Sequence, residues 1–372
     1  MENMVKFSEL FGGVYKGTKV LITGHTGFKG SWLALWLHNM EADVYGFALK
    51  NEDSPNHIDL LNLPIHQKYG DITELGTLDE YIQEIQPEIV FHLAAQALVK
   101  KSYSDPVETF STNVMGTIHL FEACRKTKSV KAIINVTSDK CYENKEWNWG
   151  YRENEPMGGY DPYSASKACS EIITASYRNA YFNIEKYNES HGVLIASARA
   201  GNVIGGGDWA ADRLIPDIVR ATSRNETVKI RNPKATRPWQ HVLEPLSGYL
   251  TLGWHLAEKK INYADAWNFG PDIYSNLPVY EISELSKKHW KDIKIEFSKH
   301  PDDQHEAHLL MLDCSKAYKL MKWKPVWGID KTIEKTIGWY RDYYISGKIE
   351  TTHHLTDYIN DAYKAKITWT TH

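Results

Sequence analysis

The sequence predicts an α/β protein: a Rossmann-type, doubly wound parallel sheet with a smaller C-terminal substrate-binding domain. Three observations point there. From Lys19 to about residue 205, short β-branched runs alternate with helical stretches of roughly 10 to 20 residues. The first run leads straight into glycines at 24, 27 and 30. Beyond residue 205 the rhythm stops, and Gly, Pro, Arg and Trp mix without a βαβ pattern.

The elements follow in order. "KVLITG" is a buried strand, "GHTGFKG" a tight turn, and "SWLALWLHNM" a helix with Trp32, Leu33, Trp36 and Leu37 on one face. Strand, glycine turn and helix form the setting of a dinucleotide-binding turn. Gly24 allows the turn, Gly27 lets backbone approach a pyrophosphate, and Gly30 lets the helix lie close to the strand. The helix N-terminus then offers N–H groups and partial positive charge to phosphate. "DVYGFA" is a second strand, "KYGDITE" ends a third with Asp71 at its tip, and "EIVFHLAAQ" is a fourth. A long helix spans about 106–126. "VKAIINVTSDKCY" is a fifth strand, "PYSASKACSEIITASY" opens another long helix, and "GVLIASARAGNVIG" is a sixth strand. Ligands of such sheets gather at the carboxyl ends of the strands, here Gly24, Asp71, Ala94, Ser138 and Ala200. The second strand ends in "GFALK" rather than in an acidic residue, so its chemistry leaves NAD and NADP both open.

Residues 1–200 are read as the dinucleotide-binding domain, with returns near 238–270 and 328–345. Residues 201–327 form the second domain and 346–372 a polar tail. The chain's 372 residues leave room for two or three domains at about 150 each.

Composition excludes several classes. With 42% hydrophobic residues the chain is globular, and a net charge of −4 without a basic stripe speaks against nucleic acid. The longest apolar run near the start, Leu33–Leu37, cannot span a bilayer. No signal peptide is expected, and four cysteines without CxxC spacing fit a reducing, cytoplasmic compartment and no metal site.

Tyr163 and Lys167 stand four apart at a helix start and share one face. An ammonium beside a phenol is expected to lower the phenol's pKa and make it a base for an alcohol proton. Ser138, at the end of the fifth strand, is placed to hydrogen-bond that alcohol. Asp139 and Lys140 beside it form an acid/base pair.

The stretches "TGHTGFKGSWL" (23–33), "VTSDKCYEN" (136–144), "YRENEPMGGYDPYSASKA" (151–168), "ARAGNVIGGGDWA.DRLIPD" (198–217), "RPWQHVLEPLSGYL" (237–250) and "HEAHLLMLDCSKAYKLMKWKP" (305–325) closely resemble the extended short-chain dehydrogenase/reductase family. The nearest group is the CDP-glucose 4,6-dehydratases. The resemblance spans about residues 15–340. It implies tightly held NAD and an internal redox cycle on a nucleotide-sugar substrate. Tyr163, with Ser138 and Lys167, takes the carbon-4 hydroxyl proton. Hydride leaves carbon 4, water is lost across carbons 5 and 6, and hydride returns to carbon 6. By position, Lys140 is the carbon-5 base and Asp139 the acid. Sister dehydratases carry Asp-Glu there. In water the charged pair is favoured by about 6.5 pK units, roughly 9 kcal/mol, so this assignment needs a dry site.

The resemblance further implies cofactor contacts from Gly24, Thr26, Gly27, Phe28, Lys29, Gly30, Asp71, Ile72, Leu93, Ala94, Ala95, Tyr163 and Lys167. It implies substrate contacts from Gln96, Asn202, Arg213, Arg237 and His305, the arginines pairing their planar forks with phosphate. The helices at 106–126 and 163–182 carry apolar faces (Val107, Phe110, Val114; Ile172, Ile173), and relatives pair such helices, which implies a homodimer or homotetramer. A dehydratase of a GDP-, dTDP- or UDP-sugar, a 4-epimerase and a non-catalytic cofactor-binding protein are the competing readings. Asp139-Lys140 argues against the epimerase, and intact Ser138, Tyr163 and Lys167 against the last.

Overall fold

The computed structural model describes residues 5–51, 54–230, 232–297 and 309–371. In chain order the elements are β1 (Lys19–Thr23), α1 (Phe28–Asn39), β2 (Asp43–Ala48), α2 (His57–Leu61), β3 (His66–Tyr69), α3 (Leu75–Ile85), β4 (Ile89–His92), α4 (Val99–Ser104), α5 (Pro106–Phe110), α6 (Gly116–Lys126), β5 (Ala132–Val136) and α7 (Pro162–Ala180). Then come β6 (Leu194–Arg199), β7 (Val203–Ile204), α8 (Leu214–Ser223), β8 (Thr227–Ile230), β9 (Thr236–Pro238), β10 (Gln240–His241), α9 (Leu243–Ala257), β11 (Ala266–Asn268), β12 (Asn276–Pro278), α10 (Val279–His289), β13 (Lys294–Phe297), α11 (Ile329–Ser346) and α12 (Thr351–Lys364).

Seven strands form one parallel sheet in the order β11-β6-β5-β4-β1-β2-β3. Alternation along each strand feeds two cores. Val20, Ile22, Phe91 and Ile134 pack against α1, α9 and α12. Leu21, Val90, Ile133 and Ile195 pack against α3 and α6. The strand order reverses between β1 and β4, where such sheets open a ligand crevice. A third core joins α8, α10 and α11 through Ile215, Ile218, Ile282, Ile333 and Ile337.

Three features differ from the sequence reading. The helix expected over 106–126 contains a widened π-turn at Ser111–Met115, where Asn113 turns inward to bond Gln96 and Ser166. Residues 328–345, expected to return to the dinucleotide-binding domain, form α11 and pack mainly on α8 and α10. The expected polar tail is a helix, α12, followed by a short turn. Leu355, Tyr358, Ile359 and Ala362 recur at helical spacing and bury against α1 with Trp369, which stacks on Phe11. Residues 238–270 supply α9 and β11 to the sheet.

Candidate active site

The turn after β1 is built by close approach. Gly24 has φ +77°, and a Cβ there would lie 2.7 Å from the Ala94 nitrogen. A Cβ on Gly30 would lie 2.1 Å from the Gly24 carbonyl oxygen, so only glycine lets α1 lie this near β1. Gly27 precedes α1 and no side chain caps the helix, which leaves its first N–H groups for a ligand. The turn opens into a cavity of about 1270 Å³. Thr26, Gly27, Phe28, Lys29, Asp71, Ile72, Leu93, Ala94 and Ala95 form one end of it. Asp71 also accepts the Thr73 N–H (2.8 Å), so its carboxylate shapes its own turn.

The other end holds the catalytic candidates. β5 runs into Ser138, whose hydroxyl accepts the Lys140 N–H (3.2 Å) and donates to Asp139 Oδ1 (3.0 Å). Asp139 is 2% exposed, and its Oδ2 has no hydrogen-bond partner among the described residues. Burial therefore raises its pKa, against the pull of Lys140. A Cβ on Gly201 would lie 2.5 Å from that oxygen, so the site is filled from behind by backbone.

Helix α7 starts at Asp161, which caps the Ser164 N–H (2.9 Å), with Pro162 in the first turn. This start points Tyr163 and Lys167 into the cavity. The Lys167 ammonium donates to the Val136 carbonyl (3.3 Å), and burial pushes its pKa down to about 8. The expectation of a lowered tyrosine is corrected here. Burial outweighs the nearby hydrogen bond of Ser138 and pushes Tyr163 up to about 12.

The family resemblance makes Lys29 a cofactor contact. It lies half-buried in the same cavity, 3.5 Å from the Tyr249 hydroxyl, and desolvation pushes it down to about 7 against the opposing charge of Asp139. Sequence reasoning missed Asp208, which lines the cavity, and Tyr249, which lies behind Lys29; only the tertiary fold brings them there.

Of the substrate candidates, Asn202, Arg213 and Arg237 line the cavity. Arg213 is paired with Asp208 (2.8 Å), and Arg237 is almost wholly buried. Gln96 does not reach the cavity. Its side chain donates to the Leu98 carbonyl (3.0 Å) and Thr109 hydroxyl (2.9 Å) and accepts the Leu98 N–H (2.6 Å), so it bolts the loop after β4 in place. His241 is buried against Trp32 and Trp327. His305 and Glu306 lie outside the described residues. Trp147 and Tyr151 pack against each other in a small core with Tyr142 and Leu310, which line the cavity, and do not line it themselves. The thiol of Cys141 is buried and pushed up, so it stays protonated.

One end of this cavity is shaped for a dinucleotide, and the other gathers a tyrosine, a serine, a carboxyl and lysines. The model of the GDP-mannose 4,6 dehydratase family matches residues 21–336. The chain is 50% identical to the CDP-glucose 4,6-dehydratase of Salmonella typhimurium over 332 residues, 88% of this chain and 91% of that one. It is 24% identical to the UDP-glucose 4-epimerase of Mycoplasma pneumoniae over 88% of this chain and 98% of the relative. Among solved structures it resembles DesIV, the dTDP-glucose 4,6-dehydratase of Streptomyces venezuelae, with a TM-score of 0.73 at 21% identity, covering 87% of this chain and 97% of that one. The chain thus belongs to the GDP-mannose 4,6 dehydratase family, within the extended short-chain dehydrogenases/reductases.

Proposed function

We propose that the protein is a nucleotide-sugar 4,6-dehydratase that converts CDP-glucose to CDP-4-keto-6-deoxyglucose. The observation that carries this is the Ser138-Asp139-Lys140 turn, with Ser138 and Asp139 buried, in one cavity with Tyr163 and the uncapped start of α1. The 50% identical relative bears the name of that activity.

The glycine cradle fits a dinucleotide, since a Cβ at Gly24 or Gly30 would strike backbone. Gly24, Thr26, Gly27, Phe28, Lys29, Gly30, Asp71, Ile72 and Leu93–Ala95 would hold it, with Tyr163 and Lys167 at its reactive end. NAD bound there supplies the acceptor and donor of hydride. Tyr163 takes the proton of the carbon-4 hydroxyl while Ser138 holds that oxygen. The resulting ketone acidifies the carbon-5 hydrogen, which Lys140 removes. Asp139, raised by burial and so able to keep a proton, gives it to the leaving carbon-6 hydroxyl. Asn202, Arg213 and Arg237 hold the sugar and diphosphate.

The sheet with α1, α3, α6, α7, α9 and α12 is the cofactor lobe, and the α8–α10–α11 core is the substrate lobe. Among the described residues no helix is long and apolar enough to cross a membrane. The four cysteines are unpaired, which suits a cytoplasmic enzyme. Val107 (75% exposed), Phe110 and Ile172 leave apolar surface on α5 and α7, and two copies joined there form a homodimer. Light scattering at the mass of one chain would contradict that assembly. The substrate is tested by incubation with CDP-, dTDP-, GDP- and UDP-hexoses, watching the alkaline absorbance of a 4-keto-6-deoxy sugar. Turnover with CDP-glucose is expected. Turnover with another nucleotide sugar alone moves the assignment to that nucleotide, and a 4-epimer product would mark an epimerase.

A further inference from the structure

Four buried side chains join the C-terminal helix to the first turn of α1. Trp339 on α11, Thr351 at the start of α12, His57 at the start of α2 and Ser31 on α1 are each at most 2% exposed. Trp339 Nε1 donates to the Thr351 hydroxyl (2.9 Å). That hydroxyl lies 2.9 Å from His57 Nε2, and His57 Nδ1 lies 2.7 Å from the Ser31 hydroxyl. The Ser31 hydroxyl donates to the Phe28 carbonyl (2.9 Å). The imidazole packs against the Trp32 and Trp339 rings, with centroids 5.4 and 5.8 Å away, and against Gly207, where a Cβ would lie 2.4 Å from it.

The chemistry of its two ends sets the direction of this chain. A carbonyl only accepts, so the Ser31 hydroxyl hydrogen is spent on Phe28. His57 Nδ1 must then carry the hydrogen that Ser31 accepts. Burial pushes the ring's pKa down to about 3, so the ring is neutral and its Nε2 accepts the Thr351 O–H. At the other end an indole N–H only donates, and the Thr351 oxygen takes it. Ser31 also donates its backbone N–H to the Gly27 carbonyl (2.9 Å). It thereby holds the Gly27 and Phe28 carbonyls. Each belongs to a planar peptide whose N–H, of Phe28 or Lys29, points the opposite way. Those N–H groups belong to the uncapped start of α1.

We propose that Thr351 and His57 are positioning residues for the cofactor: through Ser31 they aim the peptide N–H groups at the start of α1 toward the pyrophosphate. The inference rests on the reading of that end of the cavity as the NAD site. It gives the C-terminal helix a part in binding beyond its apolar packing. Thr351 itself does not line the cavity. Its hydroxyl acts by holding His57 in one tautomer. Without it the ring can carry its hydrogen on Nε2, Ser31 can turn its own hydrogen to Nδ1, and the Phe28 carbonyl loses its donor. In that case α12 still keeps its apolar anchors Leu355, Tyr358 and Ile359 in the core.

The test is calorimetric titration of the full chain, cleared of bound nucleotide, with NAD and separately with CDP. Thr351→Val keeps the shape and removes the hydroxyl. Its NAD affinity is expected to fall about three- to tenfold while its CDP affinity stays within about twofold of the parent. Thr351→Ser, which keeps the hydroxyl, should restore NAD affinity. Ser31→Ala is expected to weaken NAD to a similar degree, and Thr351→Val should add nothing in that background. Unchanged NAD affinity in a folded Thr351→Val protein overturns the proposal. So do equal losses for NAD and CDP, a failure of Thr351→Ser to restore binding, and effects of Thr351→Val and Ser31→Ala that simply add. If Thr351→Val does not fold, Ser31→Ala decides, and parental NAD affinity there overturns the proposal. A parent that binds CDP but no NAD defeats the cofactor reading and the proposal with it. A parent that binds NAD no more tightly than its Thr351→Val version defeats the proposal alone.

Discussion

Two clusters of buried charge meet along α7, one helical turn apart, and they are built differently. Around Glu171 the charges are paired. Its Oε2 accepts Arg199 Nη2 (2.8 Å) and the Ser197 hydroxyl (2.7 Å), and its Oε1 accepts the Thr137 hydroxyl. Arg199 in turn donates to the Tyr142 hydroxyl (2.6 Å) and the Glu153 carbonyl (3.0 Å). Paired in this way, Glu171 stays below the usual carboxylate range despite its burial. Around Lys167 the charges are poorly paired. Asp139 keeps an oxygen without a partner, Lys29 falls to about 7, Lys167 to about 8, and Tyr163 rises to about 12. The same residue types give a fixed bolt in one place and mobile protons in the other. The difference is how many hydrogen bonds each charge receives. Strongly shifted groups gathered in a cleft mark chemistry, while a hydrogen-bonded ion pair marks structure, even with Arg199 Nε left unpartnered among the described residues.

The contrast can be broken by substitution. The largest effects should come from the poorly paired cluster, on turnover alone. Tyr163→Phe and Lys140→Met are each expected to lose about 10² to 10⁴ in rate with unchanged thermal melting. Lys140→Met should also stop exchange of the carbon-5 hydrogen with solvent deuterium, and exchange at the parental rate would remove Lys140 as the base. Glu171→Gln should do the reverse. It leaves Arg199 buried without its counter-charge and should cost about 3–5 kcal/mol in urea unfolding. A stable Glu171→Gln protein with lost turnover would erase the distinction between the clusters.

Smaller effects sharpen the picture. Gly30→Ala must push α1 away from the Gly24 carbonyl, with an expected cost of about 1–3 kcal/mol and weaker NAD binding by calorimetry. Lys29 gives a pH signature whose sign follows from linkage. Its folded pKa is lowered to about 7 from an ordinary 10.5, so between these values the unfolded chain holds a proton that the folded one lacks. Stability should therefore rise with pH across that window. Relative to Lys29→Met, the parent's urea midpoint should climb from pH 7 to 9. A flat difference would mean that Lys29 is not desolvated.

Much of the site was legible in the chain. Gly24 and Gly30 announce a turn, because only glycine tolerates that φ and that contact. Tyr163 and Lys167 announce a shared face, because helical spacing is local. What was hidden is what depends on neighbours far along the chain. Lys167 four residues on suggests a lowered Tyr163, but burial raises the phenol while the Lys167 ammonium donates to the Val136 carbonyl. Gln96 follows a strand end that walls the cavity, yet Leu98 and Thr109 take its polar atoms. The apolar residues of α12 stand at helical spacing within polar sequence, so average composition hides the helix that their periodicity encodes.

The central claim is that one hydrogen travels within the sugar from carbon 4 to carbon 6. It is tested most directly with CDP-glucose carrying deuterium at carbon 4, with the product read by NMR. Deuterium in the new methyl group of a 4-keto-6-deoxy product, with no added nicotinamide consumed, is the predicted result. Deuterium that stays on carbon 4 of an unchanged or epimerised sugar would contradict the account.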